Sequence, residues 1–176
     1  MSRFLWFMLG IVVTFALLIL GGYLFLVSGG VSMETTASSL PLERTVARLA
    51  LRASMSGAAG QRNPVAADDA NLAAGARVYR THCAVCHGLP GASRSDIARG
   101  MFPDPPQLFQ QEEMVTDDPE GITYWKITHG IRLSGMPGFS ATLSDGVRWQ
   151  VAALLARADK LSPMVQAALS QGPPQP

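Results

Sequence analysis

Two cysteines and a histidine are the residues of this chain whose types and spacing indicate chemistry. They lie in the segment Cys83-Ala84-Val85-Cys86-His87, and the sequence contains no other cysteine. The spacing Cys-x-x-Cys-His is the one that covalent attachment of a c-type haem requires, with both thiols adding across the porphyrin vinyl groups. The histidine that follows is then the proximal ligand of the iron. We predict one haem c, attached through Cys83 and Cys86 and ligated by His87.

A redox-active dithiol and half of a zinc site are the alternatives for this segment. A structural zinc site would need a second pair of cysteine or histidine ligands at similar spacing, and the sequence supplies no further cysteine. A thioredoxin-like dithiol does not need the adjacent histidine and normally lies in a βαβ pattern, which this sequence does not show. The haem interpretation is therefore favoured.

The second axial ligand of the iron is less strongly indicated. Methionine is usually a packing residue, but Met136 lies between glycine and proline in a short loop, where a rigid turn can direct its sulfur inward. Met101, in Gly-Met-Phe-Pro, is the rival candidate. His129 ends a predicted helix ahead of this loop. It is interpreted as a surface residue or a neighbour of the haem propionates, with a second axial histidine as the less favoured alternative.

The whole chain restricts the classes of protein to which it can belong. It has 176 residues, enough for one modest domain with accessory segments, and 14 basic against 13 acidic residues. This near balance of charge gives no indication of a nucleic-acid-binding protein. Both cysteines are assigned to haem, so no disulfide framework is expected. Bacteria attach haem c outside the cytoplasmic membrane, and export of the chain is therefore expected.

An apolar segment at the N-terminus is suited to direct that export. Residues 4–27 carry no charge and, at about 1.5 Å per residue, are long enough to cross roughly 30 Å of hydrocarbon. The apolar part of a cleaved signal peptide is shorter, at about 7–15 residues. Arg3 favours a cytoplasmic N-terminus, although later arginines oppose the positive-inside pattern. We predict a retained anchor over residues 1–28, with the haem domain on the periplasmic side of a bacterial inner membrane.

Residues 29–66 are predicted to be an exposed linker that contains a basic amphipathic helix, beginning at Pro41. The apolar face of this helix carries Leu42, Val46, Leu49 and Met55. Its basic face carries Arg44, Arg48 and Arg52. Such a helix could lie on anionic lipid, dock on a partner subunit or act as a solvated spacer. Residues 57–64 are interpreted as the link to the haem domain.

The haem domain is predicted to occupy residues 67–162 and to be entirely helical. One helix begins at Asp68-Asp69 and leads into the haem motif, another covers 119–130, and a third covers 144–158 with Ser144 as N-cap. Residues 163–176 are predicted to form a short helix and a flexible tail.

Residues 70–160 resemble a class I cytochrome c, a small all-helical fold with one haem. The resemblance rests on the haem motif, on Gly75 and Tyr79 in the preceding helix, and on the segment 134–139 before the last long helix. It implies that the first and last helices cross closely, with Gly75 and Tyr79 set against Trp149. It also implies that Met136 is the sixth iron ligand.

The resemblance implies further contacts to the haem. A backbone carbonyl near Pro90 is expected to fix the proximal imidazole. The propionates are expected to meet Tyr124, Trp125 and Arg132, because buried carboxylates need donors. Tyr124 and Trp125 as ordinary core aromatics are the alternative. Three further residues are expected to form the walls of the haem pocket: Phe102, Leu108 and Phe139.

These features predict an electron-transfer protein and not an enzyme. We expect a membrane-anchored monohaem carrier of single electrons in a bacterial respiratory or photosynthetic chain, free-standing or part of a larger oxidoreductase complex. Its donor and acceptor would be redox partner proteins. A haem-based ligand sensor or weak peroxidase is the alternative, and it would need an open or labile sixth position on the iron.

Overall fold

The computed structural model describes residues 2–171, and the chain divides into two compact units between Ala37 and Ser38. The first unit consists mainly of α1, Arg3–Val27. Its side chains are apolar and point outward, so that none of the helix is buried. By length and composition it is able to cross a membrane.

The second unit is all-helical over the part of it that the structure describes, as the sequence predicts. Polar side chains start several of its helices; for example, the Asp68 carboxylate accepts a 2.8 Å hydrogen bond from the Asn71 N–H. Ser144 directly precedes its helix as expected, but its side chain makes no capping bond. The elements are α2 (Glu43–Ser54), a 3-10 turn (Ala58–Gly60), α3 (Asp69–His82), α4 (Ala84–His87), α5 (Asp96–Arg99), α6 (Glu120–His129), α7 (Asp145–Leu155) and α8 (Pro163–Ser170).

The core lies where α3 crosses α7. A Cβ atom on Gly75 would lie 2.7 Å from the carbonyl carbon of Gln150, so only glycine allows the two backbones to approach this closely. Around the crossing, Tyr79 and Leu154 are fully buried. The close crossing agrees with the expectation, and the atoms nearest to a Cβ on Gly75 belong to the backbone of α7. The Trp149 ring instead stacks on Tyr124 of α6, with ring centroids 3.9 Å apart.

Helix α8 completes the core by packing against α3. Its Val165 and Leu169 side chains are buried, and Arg80 of α3 donates a 3.0 Å hydrogen bond to the carbonyl oxygen of Leu169. This short helix was expected from the sequence. The flexible tail expected at 171–176 lies outside the described residues, apart from Gln171.

The segment 57–64, which the sequence suggested was a linker, is packed against α6. Ala58 is 2% exposed, and its carbonyl oxygen occupies the space where a side chain on Gly121 would lie. The Asn63 amide donates a 2.8 Å hydrogen bond to the Glu120 carboxylate. The small residues of this segment thus allow close packing instead of marking a free link.

Met55 also differs from its predicted place. The sequence grouped it with the apolar face of α2, but Met55 is 9% exposed whereas Val46 and Leu49 are 63% and 69% exposed. Met55 follows Leu51 by four residues, so it lies with Leu51 on another side of the helix. The side that carries Met55 faces the core.

Candidate haem-binding site

The Cys-x-x-Cys-His motif forms the turn that follows α3. The Cys83 N–H donates to the carbonyl oxygen of Tyr79 at 2.8 Å and so ends that helix. The N–H groups of Cys86 and His87 then both donate to the carbonyl oxygen of Cys83, at 3.1 and 2.9 Å. The two thiols and the imidazole are therefore held on one short helical turn.

The imidazole of His87 is oriented by a backbone carbonyl. Its Nδ1 lies 2.8 Å from the carbonyl oxygen of Pro106, and the Leu108 N–H donates to the carbonyl oxygen of His87 at 3.1 Å. A hydrogen bond from Nδ1–H leaves Nε2 unprotonated, which is the form in which a histidine ligates iron.

The carbonyl that contacts His87 was expected near Pro90, but it belongs to Pro106, 19 residues further along the chain than His87. Pro90 lies instead in a surface groove beside Phe109 and Leu169. The reason is a pairing between distant segments, in which residues 106–108 run alongside the haem motif. No local spacing reveals such a pairing.

Gln107 holds this pairing in place, although no sequence motif identifies it as a site residue. The side chain is 2% exposed, and its amide donates to the carbonyl oxygens of Cys86 at 2.9 Å and Pro105 at 3.1 Å. Gly88 has a φ of +72°, and a Cβ there would lie 2.5 Å from the Gln107 Oε1 atom. The only local signal was the Pro-Pro pair that precedes Gln107.

Tyr79 contacts the backbone of the turn that carries the haem motif. Its hydroxyl lies 3.1 Å from the carbonyl oxygen of His87 and 2.9 Å from that of Gly88. Burial, followed by the charges of Cys83 and Cys86, raises the pKa of Tyr79 well above its ordinary value. The hydroxyl therefore keeps its proton and acts as a donor. Tyr79 thus contacts the haem motif directly, in addition to the role predicted for it at the helix crossing.

Burial also determines the protonation of the motif itself. It raises the pKa of the Cys83 thiol to about 12, with a smaller contribution from Cys86, and it raises the pKa of Cys86. Burial lowers the pKa of His87, although the hydrogen bond to Pro106 opposes this effect. Reactive dithiols have lowered thiol pKa values, so the site does not resemble one. The neutral imidazole is the form that binds a metal.

The loop that carries Met136 is closed by a hydrogen bond of its own, and its far end is attached to the last turn of α6. The Ile131 N–H donates to the carbonyl oxygen of Met136 at 3.1 Å, and the Phe139 N–H donates to that of Ile127 at 2.9 Å. Gly130, with a φ of +68°, starts the loop, and a Cβ on it would lie 2.7 Å from the Met136 carbonyl oxygen. Met136 is half-buried in this loop.

The rival methionine lies beside the same loop. The methyl group of Met101 occupies the space next to Gly135 where a side chain would otherwise be. The structure therefore brings Met101 close to Gly135, which directly precedes Met136, although Met101 and Gly135 are 34 positions apart in the sequence. The assignment of Met136 as the iron ligand stays a prediction.

The residues expected to meet the propionates divide into two groups. Tyr124 stacks on Trp149 and its hydroxyl is hydrogen-bonded to the Asp145 carboxylate, so it serves the packing of α6 on α7. Trp125 lies beside His129, with ring centroids 4.9 Å apart, and Arg132 is exposed in the methionine loop. Trp125 and Arg132 thus lie near the loop, whereas the contacts of Tyr124 fit the core alternative.

The expected wall residues have separate environments. Leu108 is 8% exposed and belongs to the core. Phe139 lies edge-on to His82, with centroids 5.9 Å apart. The Arg44 guanidinium of α2 is 5.8 Å from the centroid of the Phe102 ring. Phe102 and Leu108 come from the loop between α5 and α6, and Phe139 comes from the loop between α6 and α7.

Comparison with known families gives one match. Residues 70–155, just under half of the chain, match the family described as "Cytochrome C oxidase, cbb3-type, subunit III". A comparison with curated proteins finds no match. The matched segment contains the haem motif and both candidate methionines. With Cys83 and Cys86 at the required spacing and a neutral His87, the residues present fit a covalently bound haem c, and this part of the chain is a cytochrome c domain.

Proposed function

We propose that this c-type cytochrome is a membrane-anchored carrier of single electrons on the periplasmic side of a bacterial inner membrane, with His87 and Met136 as the axial ligands of one haem. The observation that carries the proposal is the orientation of His87. Its Nδ1 is held 2.8 Å from the Pro106 carbonyl oxygen, directly after the two cysteines that attach the haem. Nε2 is thus free to ligate iron.

The haem supplies one-electron redox chemistry, and the protein supplies its ligands and surroundings. With His87 and Met136 both bound, no position on the iron is open to a substrate. A methionine ligand raises the reduction potential relative to a second histidine, and burial of the site adjusts it further. Both candidate ligands are held by backbone hydrogen bonds, which favours little rearrangement between the two oxidation states.

Optical spectra of the purified haem-loaded protein, with and without carbon monoxide, test the ligation. We expect a low-spin spectrum with a methionine-to-iron band in the oxidised form, and no carbon monoxide adduct in the reduced form. Rapid formation of an adduct would mean that the sixth position opens, and the ligand sensor or weak peroxidase would replace the proposed carrier.

Met136→Ala and Met101→Ala form a matched pair for the same question. Met136→Ala should abolish the methionine-to-iron band and lower the reduction potential, since an axial methionine raises it. Met101→Ala removes a methionine from beside the same loop and should retain the band. The reverse result would assign Met101 as the ligand and show that the loop argument for Met136 is wrong.

The proposed anchor is α1, which is uncharged after Arg3 and long enough to cross a bilayer. Extraction of bacterial membranes with alkaline carbonate should leave the chain in the membrane fraction. Protease added to spheroplasts should digest the haem domain from outside. Release by carbonate would contradict the anchor, and protection from the protease would contradict the periplasmic orientation.

The description of the matching family names an oxidase subunit, which supports a place for this chain in a membrane oxidase complex. If the chain belongs to such a complex, its purification in a mild detergent should recover other membrane proteins together with it, in stoichiometric amounts. Recovery of the chain alone, with its haem fully reducible, would support the free carrier instead.

A further inference from the structure

Helix α2 turns one side toward the compact unit to which it belongs. Met55, at its C-cap, is 9% exposed, and Leu51 is half-buried. The Arg44 guanidinium lies 5.8 Å from the centroid of the Phe102 ring. Residues 44, 51 and 55 are spaced by seven and four, so they share one side of the helix. This side contacts the rest of the compact unit, through Arg44 near the start of the helix and Met55 at its end.

The opposite side of α2 presents an apolar strip to the outside. Leu42, Val46 and Leu49 are 73%, 63% and 69% exposed, and Ala50 and Ala53 continue the same side toward the C-terminus. A contiguous apolar strip on an outward-facing helix indicates an interaction surface, unlike single exposed apolar residues.

Positive charge lies on the remaining surface of the helix: Arg48 follows Arg44 by four residues and shares its side, and Arg52 lies between that side and the apolar strip. Residues 38–66 contain four arginines and one glutamate, and Glu43 accepts a 2.7 Å hydrogen bond from the Leu40 N–H. Arg48 and Arg52 are exposed, and neither forms an ion pair within residues 2–171. Arginines beside an apolar face are typical of a helix that lies in the interface of an anionic lipid bilayer.

We propose that α2 lies in the surface of an anionic membrane, with Leu42, Val46 and Leu49 inserted at the boundary between headgroups and acyl chains. Arg52, which flanks the strip, extends to the lipid phosphates, because its long side chain allows it, and Arg48 adds positive charge on the other side of the helix. The inference rests on the proposed anchor. Residues 28–42 connect α1 to α2, and this length of chain reaches at most about 50 Å. A bilayer that holds α1 is therefore within reach of α2.

Amide hydrogen exchange on the full haem-loaded chain tests this proposal. Exchange over residues 43–54 is compared in detergent, in phosphatidylcholine vesicles and in vesicles that also contain phosphatidylglycerol. We expect the slowest exchange with phosphatidylglycerol, with protection lowered about fivefold in Arg52→Gln and by less in Arg48→Gln, whose side chain lies on the other side of the helix. Equal exchange rates in all three conditions would overturn the proposal. Protection only in native membranes would also overturn it, in favour of a protein partner.

Val46→Asp and Leu49→Asp should abolish the protection by lipid. Ile97→Asp is the matched control, since Ile97 is also apolar, helical and 57% exposed, but lies on α5. It should leave exchange over α2 unchanged. Loss of protection in this control as well would mean that an added negative charge at any exposed position prevents binding to lipid. The apolar strip would then not be the surface that contacts the membrane.

Flotation of the vesicles separates this proposal from the proposed anchor. If the chain floats with the vesicles and α2 exchanges at its detergent rate, the anchor holds and the proposal for α2 is overturned. If the unaltered chain does not float, the anchor itself fails, and the proposal for α2 fails with it. If the chain floats and α2 is protected only with anionic lipid, both are supported.

Discussion

At the scale of single residues, the haem motif depends on buried groups that satisfy its backbone. The Tyr79 hydroxyl and the Gln107 amide both donate to carbonyl oxygens of residues 86–88. Removing such a donor leaves a buried acceptor without a partner, which costs more than the net value of an ordinary hydrogen bond. The effect of a mutation at this site is therefore determined by which backbone carbonyl groups it leaves without a hydrogen bond.

Tyr79→Phe tests this dependence. The substitution removes the donor to Gly88, whereas the His87 carbonyl oxygen keeps its hydrogen bond from the Leu108 N–H, and the ring stays in the core. Because the Gly88 carbonyl oxygen is left without this partner, we expect the free energy of unfolding to fall by about 1–3 kcal/mol. Denaturant unfolding of the haem-loaded protein, followed by haem absorbance, measures the change. Tyr124→Phe is the control, because its hydroxyl contacts the Asp145 carboxylate, whose side chain is 60% exposed. There we expect a change within about 0.5 kcal/mol, and equal losses in the two variants would contradict the argument.

At the scale of elements, the crossing of α3 and α7 depends on the absence of one side chain. Gly75 lies against the carbonyl group of Gln150. Neither backbone can move away without disturbing the buried side chains around the crossing, among them Val151 and Leu154. Close packing of this kind tolerates added volume poorly.

Gly75→Ala should therefore lower the free energy of unfolding by about 1–3 kcal/mol or more, since the two helices must separate. Gly146→Ala makes the same chemical change in α7, where nothing lies within 4 Å of the added Cβ. That variant should be unchanged or more stable by up to about 1 kcal/mol, because alanine is the better helix former. Denaturant titration of both proteins measures the difference, and a loss in Gly146→Ala as large as that in Gly75→Ala would refute the close crossing.

At the scale of the whole molecule, the second compact unit extends further toward the N-terminus than the haem motif requires. It begins after Ala37 and not at residue 67. Ala58 and Asn63 attach the preceding segment to α6, one by close packing and the other by hydrogen bonds to Glu120 and to the Trp149 carbonyl oxygen. Helix α2 is thus connected to the haem domain by a packed segment.

Gly121→Ala should detach that segment, because the added methyl group would collide with the Ala58 carbonyl oxygen. Trypsin should then cleave after Arg62 faster than in the unaltered protein. Gly60→Ala is the control, since nothing lies within 4 Å of a Cβ at that position. Unchanged cleavage in Gly121→Ala would mean that residues 57–64 behave as the free linker that their composition suggested.

The sequence by itself determined the chemistry and the class of fold. The haem motif is a local pattern of five residues, and helical periodicity with suitable starts and stops is local as well, so both were readable without tertiary contacts. Only the tertiary structure decided which distant residues serve the site. Pro106 in place of Pro90, the unforeseen Gln107, the nearness of Met101 to the Met136 loop and the packing of Ala58 on Gly121 all join segments far apart in the chain. Such pairings depend on how helices cross and where loops return, which no local pattern of residues specifies.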